Sequence, residues 1–177
     1  MKIAVIGTGR IGGTLGQRWQ AAGHDVTYAS RKGSGTGPGG APVTPVDDAL
    51  TGAEVVAAHG TALGGKVVID AANRIGQPDV NSQAEIAAAA PDARYVRAFN
   101  TLGWENFADP PPGAALFFAA DPGARPAAEE LITAVGLEPV FAGDASAAGT
   151  VDALLVLWFA LVQHNDGNRR VALQITR

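Results

Sequence analysis

The chain opens on Lys2-Ile3-Ala4-Val5-Ile6-Gly7-Thr8-Gly9-Arg10-Ile11-Gly12, a β-branched run that passes directly into a glycine turn. Residues 2–6 read as a short strand, apolar enough to be buried on both faces of a parallel sheet. Beyond Gly13 the apolar residues Leu15, Trp19 and Ala22 recur with helical spacing, and Gly23 stands where a left-handed residue would close that helix. Residues 25–29 (DVTYA) form the next strand, ended by Ser30-Arg31-Lys32. Strand, turn, helix and strand within about thirty residues make a βαβ unit, whose crossover is expected to be right-handed.

The spacing of Gly7, Gly9 and Gly12 has a physical use at that place. The first glycine permits a tight turn, the second lets backbone approach a pyrophosphate, and the third lets helix and strand pack closely. Free N–H groups and the dipole of the helix N-terminus then favour the phosphates. A simple glycine turn would show the same letters, but this one follows a strand and opens a helix, so it points to dinucleotide binding. The end of the second strand separates the nucleotides. NAD binders usually carry an acid there for the ribose 2′-hydroxyl, whereas a 2′-phosphate needs donors and cations. Ser30, Arg31 and Lys32 supply a hydroxyl and two cations, in a chain with only 13 lysines and arginines, and so point to NADP(H). The competing explanation is a pair of solvated charges after a strand.

Composition bounds what surrounds this unit. The 177 residues suffice for one domain with its own core. Hydrophobic residues at 47% and charged ones at 17% exclude a disordered or fibrous chain. The lack of cysteine excludes thiol catalysis, iron–sulfur clusters and cysteine zinc sites. His24, His59 and His164 show no ligand spacing, so no metal site is expected, and His59 and His164 read as surface or interface residues. A net charge of -4 argues against nucleic-acid partners. The longest apolar run, residues 153–162, is half of a membrane span, and Met1 leads straight into a strand rather than a signal peptide. A cytoplasmic location without membrane association is the expectation.

Further strands are expected at 43–46, 66–70 (KVVID), 94–99, 114–119 and 137–142, with helices over 82–90, 126–135 and 150–163. Ser82 followed by Glu85 reads as a capping box. Residues 33–42 (GSGTGPGGAP), with five glycines and two prolines, read as a flexible loop. This alternation predicts an α/β fold, a Rossmann-type doubly wound and mostly parallel sheet. It divides into a nucleotide-binding domain at 1–145 and a C-terminal helical extension at 146–177. Residues 49–65 interrupt the pattern. AEVVAA at 53–58 could be the fourth strand, but only residues 59–65 would then return to the next parallel strand, where a dozen or more are usual. The other reading, which we favour, makes 49–63 irregular helix, omits the central strand between 43 and 66, and sets KVVID beside MKIAVIG.

Asn73 follows KVVIDAA, and Asn100-Thr101-Leu102 follow a later strand, both at carboxyl ends where such sheets bind ligands. Asx-type turns are the alternative for each. Trp104, Trp158 and Phe117-Phe118 read as packing residues.

Together, MKIAVIGTGRIGGTLGQRWQAAGH, Ser30-Arg31, KVVIDAANRIG, RAFNTLGWENFADP, LFFAAD, EPVFAGDAS and VDALLVLWFALV resemble the NADPH-dependent coenzyme F420 reductase family, also called F420-dependent NADP oxidoreductases. The resemblance covers most of the chain, and its most specific block is AFNT after a strand. It implies a Rossmann domain with a C-terminal helical extension that helps form a dimer and a deazaflavin cleft. The implied reaction is reversible hydride transfer between NADP(H) and the 5-deazaflavin coenzyme F420 as co-substrate. By position, Gly7, Thr8, Gly9, Arg10, Ile11 and Gly12 would bind pyrophosphate and flank the nicotinamide. Ser30 and Arg31, assisted by Lys32, would hold the 2′-phosphate. Asn73 would lie beside the nicotinamide, and Asn100, Thr101 and Leu102 would line the hydride-transfer cleft. Two departures stand out. The family's strand with an Ala-Val-Pro-like loop, between the matches to Thr51-Gly52 and Val55-Val56, looks absent, and EVVAAHGTALGGK resembles the tail of its crossover helix. The arginine often found after AG-x-x-S is replaced by Ala147-Ala148.

Hydride exchange between two cofactors needs positioning rather than a nucleophile, so no acid–base catalytic residue is expected. An NADP-dependent imine or carbonyl reductase would want a proton donor, and Tyr28 and Tyr95 fall within strands. A non-catalytic NADPH-binding module is the remaining alternative. Residues 154–162 leave the last helix no polar face, which predicts a homodimer through it.

Overall fold

A computed structural model describes residues 1–57 and 63–176. The N-terminal unit folds as read, with β1 (Lys2–Ile6), α1 (Arg10–Ala21) and β2 (Asp25–Ala29). β1 and β2 are parallel, Lys2 standing opposite Asp25 and Ile6 opposite Ala29. Gly23, at φ +90°, adopts the left-handed conformation that ends α1. There follow β3 (Val43–Thr44), α2 (Val46–Leu50), β4 (Val55–Ala57), β5 (Val67–Asp70), α3 (Gln83–Ala89) and β6 (Arg94–Arg97). The chain closes with α4 (Trp104–Ala108), β7 (Ala115–Ala120), α5 (Arg125–Val135), β8 (Glu138–Gly143) and α6 (Ala148–Gln163).

Among the described residues the strands form one sheet in the order β3-β2-β1-β4-β5-β6-β7-β8. β1 to β6 are mutually parallel, while β7 runs antiparallel to β6 and parallel to β8. This is the expected doubly wound α/β architecture, and the period of two along each strand builds its two cores. Ile3, Val5, Val55 and Ile69 pack with Trp19 and Leu131, whereas Ala4, Val56 and Val68 pack with Leu50 and Ile86.

The central strand is present, contrary to the reading of 49–63 as helix. Val55 stands opposite Ile3 on one side and Val67 on the other, so β4 separates β5 from β1 and KVVID is not the neighbour of MKIAVIG. A three-residue strand with Val55 at 1%, Val56 at 0% and Ala57 at 9% exposure carries no alternation to identify it. β5 begins at Val67, and the described residues before it, 63–66, form no helix. Family resemblance therefore misassigned EVVA, which is the strand itself rather than the tail of a crossover helix. His59 lies outside the described residues.

Three smaller readings also change. The loop at 33–42 holds a 3-10 turn at Pro38–Gly40, and a Cβ at Gly13 would come within 2.9 Å of Pro38 Cγ, so the loop is folded against α1. The capping box does not form. The Ser82 N–H, which Glu85 would have accepted, donates instead to Asp70 Oδ2 at 2.7 Å, and Glu85 pairs with Arg74. Finally, residues 145–163 make a helical stretch of 19 residues with mean hydropathy 1.8, long and apolar enough to cross a membrane by composition and 28% buried here.

A cleft between the glycine turn and the last helix

The glycine turn sits at the carboxyl end of β1. Gly7 has φ +107°, a conformation that favours glycine, and its N–H donates to Ala29 O at 2.8 Å. A Cβ on Gly12 would stand 2.2 Å from Gly7 O, so only hydrogen allows α1 to approach so closely. A Cβ on Gly9 would meet nothing within 4 Å, leaving open space beside the turn. The first helical bond of α1 runs from Gly13 N to Gly9 O at 2.8 Å, and Gly9 offers no side-chain cap. The N–H groups of Arg10, Ile11 and Gly12 thus remain available, in a helix with no acid in its first turn. The residues present fit a dinucleotide pyrophosphate.

At the end of β2, Arg31 and Lys32 are exposed and Ser30 is partly buried. The Ser30 carbonyl accepts from Gly33 N at 2.9 Å, closing a turn. Neither cation makes an ion pair among the described residues, so both are free for a phosphate.

A cavity of about 340 Å³ extends from this turn to α6. Gly7, Gly12 and Ile11 line one wall, Asn73 and Asn100 the next, and Trp158 and Phe159 of α6 face them. Leu102 belongs to the same cavity, whereas Thr101 faces a separate void of about 20 Å³ behind α6. Thr8, Gly9 and Arg10 lie at the turn outside that lining, and Arg10 stacks 5.4 Å over the Trp104 ring. Of the site residues read from the sequence, Gly7, Ile11, Gly12, Asn73, Asn100 and Leu102 thus share one cavity, while Thr8, Gly9, Arg10, Thr101 and Ser30–Lys32 lie outside its lining.

Backbone strain aims one wall. Phe99, buried at 1% exposure, has φ +62°, unusual for a bulky residue. Its ring is gripped edge-on by Trp19 at 5.7 Å and Phe107 at 5.8 Å. Those contacts hold a conformation costing on the order of 1–3 kcal/mol, and they turn Asn100 toward the cavity.

Sequence reasoning missed the polar network behind that wall. Arg97, wholly buried, donates through Nε to Asp152 Oδ1 at 2.7 Å and through Nη1 to the Asp70 and Ala72 carbonyls at 3.0 and 2.6 Å. Its Nη2 reaches Asn73 Oδ1 at 2.8 Å. Asp152 also accepts from Asn100 Nδ2 at 3.1 Å and from Asn81 Nδ2 at 2.7 Å. Asn73 Nδ2 donates to Asn100 O at 2.7 Å. Asn73 and Asn100 are thus locked as walls rather than Asx turns, and Asp152 joins α6 to the sheet. The Asn100 amide must present its nitrogen to Asp152, which leaves its buried Oδ1 without a partner. The one signal available in the sequence was a lone aspartate inside an apolar helix.

Tyr95 donates to Asp70 Oδ2 at 3.0 Å, and burial, then the neighbouring Asp70 charge, pushes its hydroxyl well above the usual range. Tyr28 is raised by burial as well, and its hydroxyl bonds Gln20 at 3.2 Å. Neither tyrosine lines the cavity.

Residues 2–39 match the family model described as NADP oxidoreductase, coenzyme F420-dependent, so the resemblance is borne out over β1, α1 and β2. An Arthrobacter sp. FB24 protein, to which F420-dependent NADP reduction is provisionally attributed, shares 25% identity over 100% of both chains, with a TM-score of 0.81. A hypothetical protein of Sinorhizobium meliloti is 28% identical over 84% of this chain and 88% of its own, with a TM-score of 0.69. A reductive aminase of Aspergillus terreus, in complex with NADPH and ethyl-5-oxohexanoate, shares the fold at 17% identity and a TM-score of 0.66. This chain spans 62% of its length. No curated protein matches the sequence.

Proposed function

We propose that this NADP-dependent oxidoreductase exchanges hydride between NADP(H) and the deazaflavin coenzyme F420. The observation that carries the reading is the lining of the cavity. It joins the glycine turn to α6 through apolar side chains, two amides committed to the Arg97–Asp152 network and the guanidinium of Arg169, with no histidine, lysine, tyrosine or carboxylic acid among the described lining residues. An imine or carbonyl reductase wants a proton donor at that place, whereas transfer between two cofactors needs only their alignment.

When bound, NADPH supplies a hydride from its nicotinamide C4 to the deazaflavin C5, becoming NADP⁺, while solvent supplies the proton that completes the reduced deazaflavin. The chain's part is positional. The N–H groups of Arg10, Ile11 and Gly12 hold the pyrophosphate, and Ser30, Arg31 and Lys32 take the 2′-phosphate. Ile11, Asn73 and Asn100, which line the cavity, would flank the nicotinamide, with Trp158 and Phe159 of α6 lining the opposite side.

A second copy of the chain is the proposed cover for the outer face of α6. Val156 is 71% and Phe159 46% exposed there, and Phe159 also lines the cavity, so a partner on this face would complete the site. Light scattering showing a monomer at micromolar concentration, or sedimentation with vesicles in place of self-association, would overturn the dimer.

The reaction is tested by mixing the protein with NADPH and oxidised F420 and following loss of the deazaflavin's visible absorbance. No loss beside robust NADPH-dependent reduction of an imine or carbonyl compound would favour that chemistry. No turnover with tight NADPH binding would leave a sensing module.

A further inference from the structure

We infer that Arg169 selects for an anionic group, a phosphate or a carboxylate, on the partner that exchanges hydride with the nicotinamide. It is the one charged residue among the described lining of the cavity. The inference rests on the proposed reaction and deepens it by naming what the second substrate must carry.

After α6 the chain turns back to the start of β7, where Ala115 N donates to Leu173 O at 2.8 Å. Two buried side chains clamp this return beside Arg169. Asn106 Nδ2 donates to Arg169 O at 2.8 Å, and Trp158 Nε1 donates to Val171 O at 3.0 Å. The guanidinium lies 5.0 Å over the Trp158 ring, and its Nε donates to Glu105 Oε1 at 3.1 Å. Gly103 leaves the room for this arrangement, since a Cβ there would stand 2.5 Å from Glu105 Oε2 and 3.3 Å from Arg169 O.

Stacking and the Nε bond fix the plane of the fork but occupy neither Nη1 nor Nη2, which make no hydrogen bond among the described residues. The side chain is 46% exposed at the cavity mouth. Arg170 is the contrast, because its Nη2 is tied to Asp109 Oδ2 at 2.6 Å. A guanidinium held in plane with two free donors suits a bidentate oxyanion, and little rotamer entropy remains to be lost. Glu105 offsets part of its charge, and a second guanidinium, Arg10, stacks 5.4 Å over the ring of Trp104, the residue before Glu105. The nucleotide has its own anion sites at the α1 N-terminus and Ser30–Lys32, so the donors of Arg169 are left for the other substrate.

Equilibrium binding separates the possibilities. F420, with its phosphate and glutamate carboxylates, is compared with its precursor that bears the same ring and ribitol but neither anion. Titrations use wild type, Arg169→Met, which keeps the stem on Trp158, and Arg169→Lys. Arg169→Met should weaken F420 about ten- to a hundredfold, with the precursor and NADPH within about twofold, and Arg169→Lys should recover part of the loss. Added salt should weaken F420 in wild type more than in Arg169→Met. Equal losses for F420 and precursor, or a matching loss for NADPH, would overturn the inference while the reaction stands. Wild type that binds neither deazaflavin would overturn both.

Discussion

Asp152→Ala should cost the protein about 3–5 kcal/mol, because it strips a wholly buried arginine of its main counter-charge. Arg97 Nε and Nη2 both lie 2.7 Å from Asp152 Oδ1, and Asn100 and Asn81 lose their acceptors with it. What stays is Asp70 Oδ1 at 3.4 Å, together with carbonyl oxygens that carry no full charge. For a domain of this size the loss lowers the melting temperature by about 6–20 °C. The assay is urea and thermal unfolding of wild type, Asp152→Ala, Arg97→Met and the double variant. The double variant should be less destabilised than the single losses added together, since each single loss leaves the other member of the pair uncompensated, and in the double variant Asp70 still accepts from Ser82 N and the Tyr95 hydroxyl. Below the melting point Asp152→Ala should also bind F420 and NADPH more weakly, because α6 and Asn100 are then free to move apart. A loss under about 1 kcal/mol, or simple additivity in the cycle, would refute the claim that Asp152 ties α6 to the sheet.

Gly12→Ala places a methyl 2.2 Å from the Gly7 carbonyl, so α1 must retreat from β1. We expect about 1–3 kcal/mol of destabilisation and loss of the NADPH-induced rise in melting temperature; an unchanged rise would count against the turn as the pyrophosphate site. Arg31→Ala should weaken NADPH roughly ten- to over a hundredfold and NADH hardly at all, with Lys32→Ala doing less and salt shrinking the difference; isothermal titration of both nucleotides checks it, and equal losses would reassign Ser30-Arg31-Lys32. Tyr28 and Tyr95, the chain's two tyrosines, are both raised by burial, Tyr95 further by Asp70. Protonated phenols favoured by the fold contribute stability that is complete below the unfolded value near 10 and is lost as pH rises above it. Near-ultraviolet phenolate absorbance should therefore emerge together with unfolding, and ionisation in a still-folded protein would contradict this.

The sequence by itself determined whatever depends on neighbours close along the chain. A β-branched run, three glycines at fixed offsets and a helical period are local constraints. Gly7 at φ +107° and Gly12 against the Gly7 carbonyl obey them as read. The charges after β2 were legible for the same reason, since their place follows from where the strand ends. Distant contacts were not legible. β4 is an apolar triplet whose identity comes only from strands on both sides of it, Ile3 and Val67. Ser82 and Glu85 had the letters of a capping box, but Asp70, 12 residues away, offered the N–H a buried carboxylate and took it. Arg97 and Asp152, separated by 55 residues, meet only once α6 docks on the sheet. Arg169 enters the cavity because the returning tail is caught by Asn106 and Trp158. Burial supplies the reason in each case. A polar or charged group withdrawn from water must find its partner wherever the fold brings one, and that choice is made in three dimensions rather than along the chain.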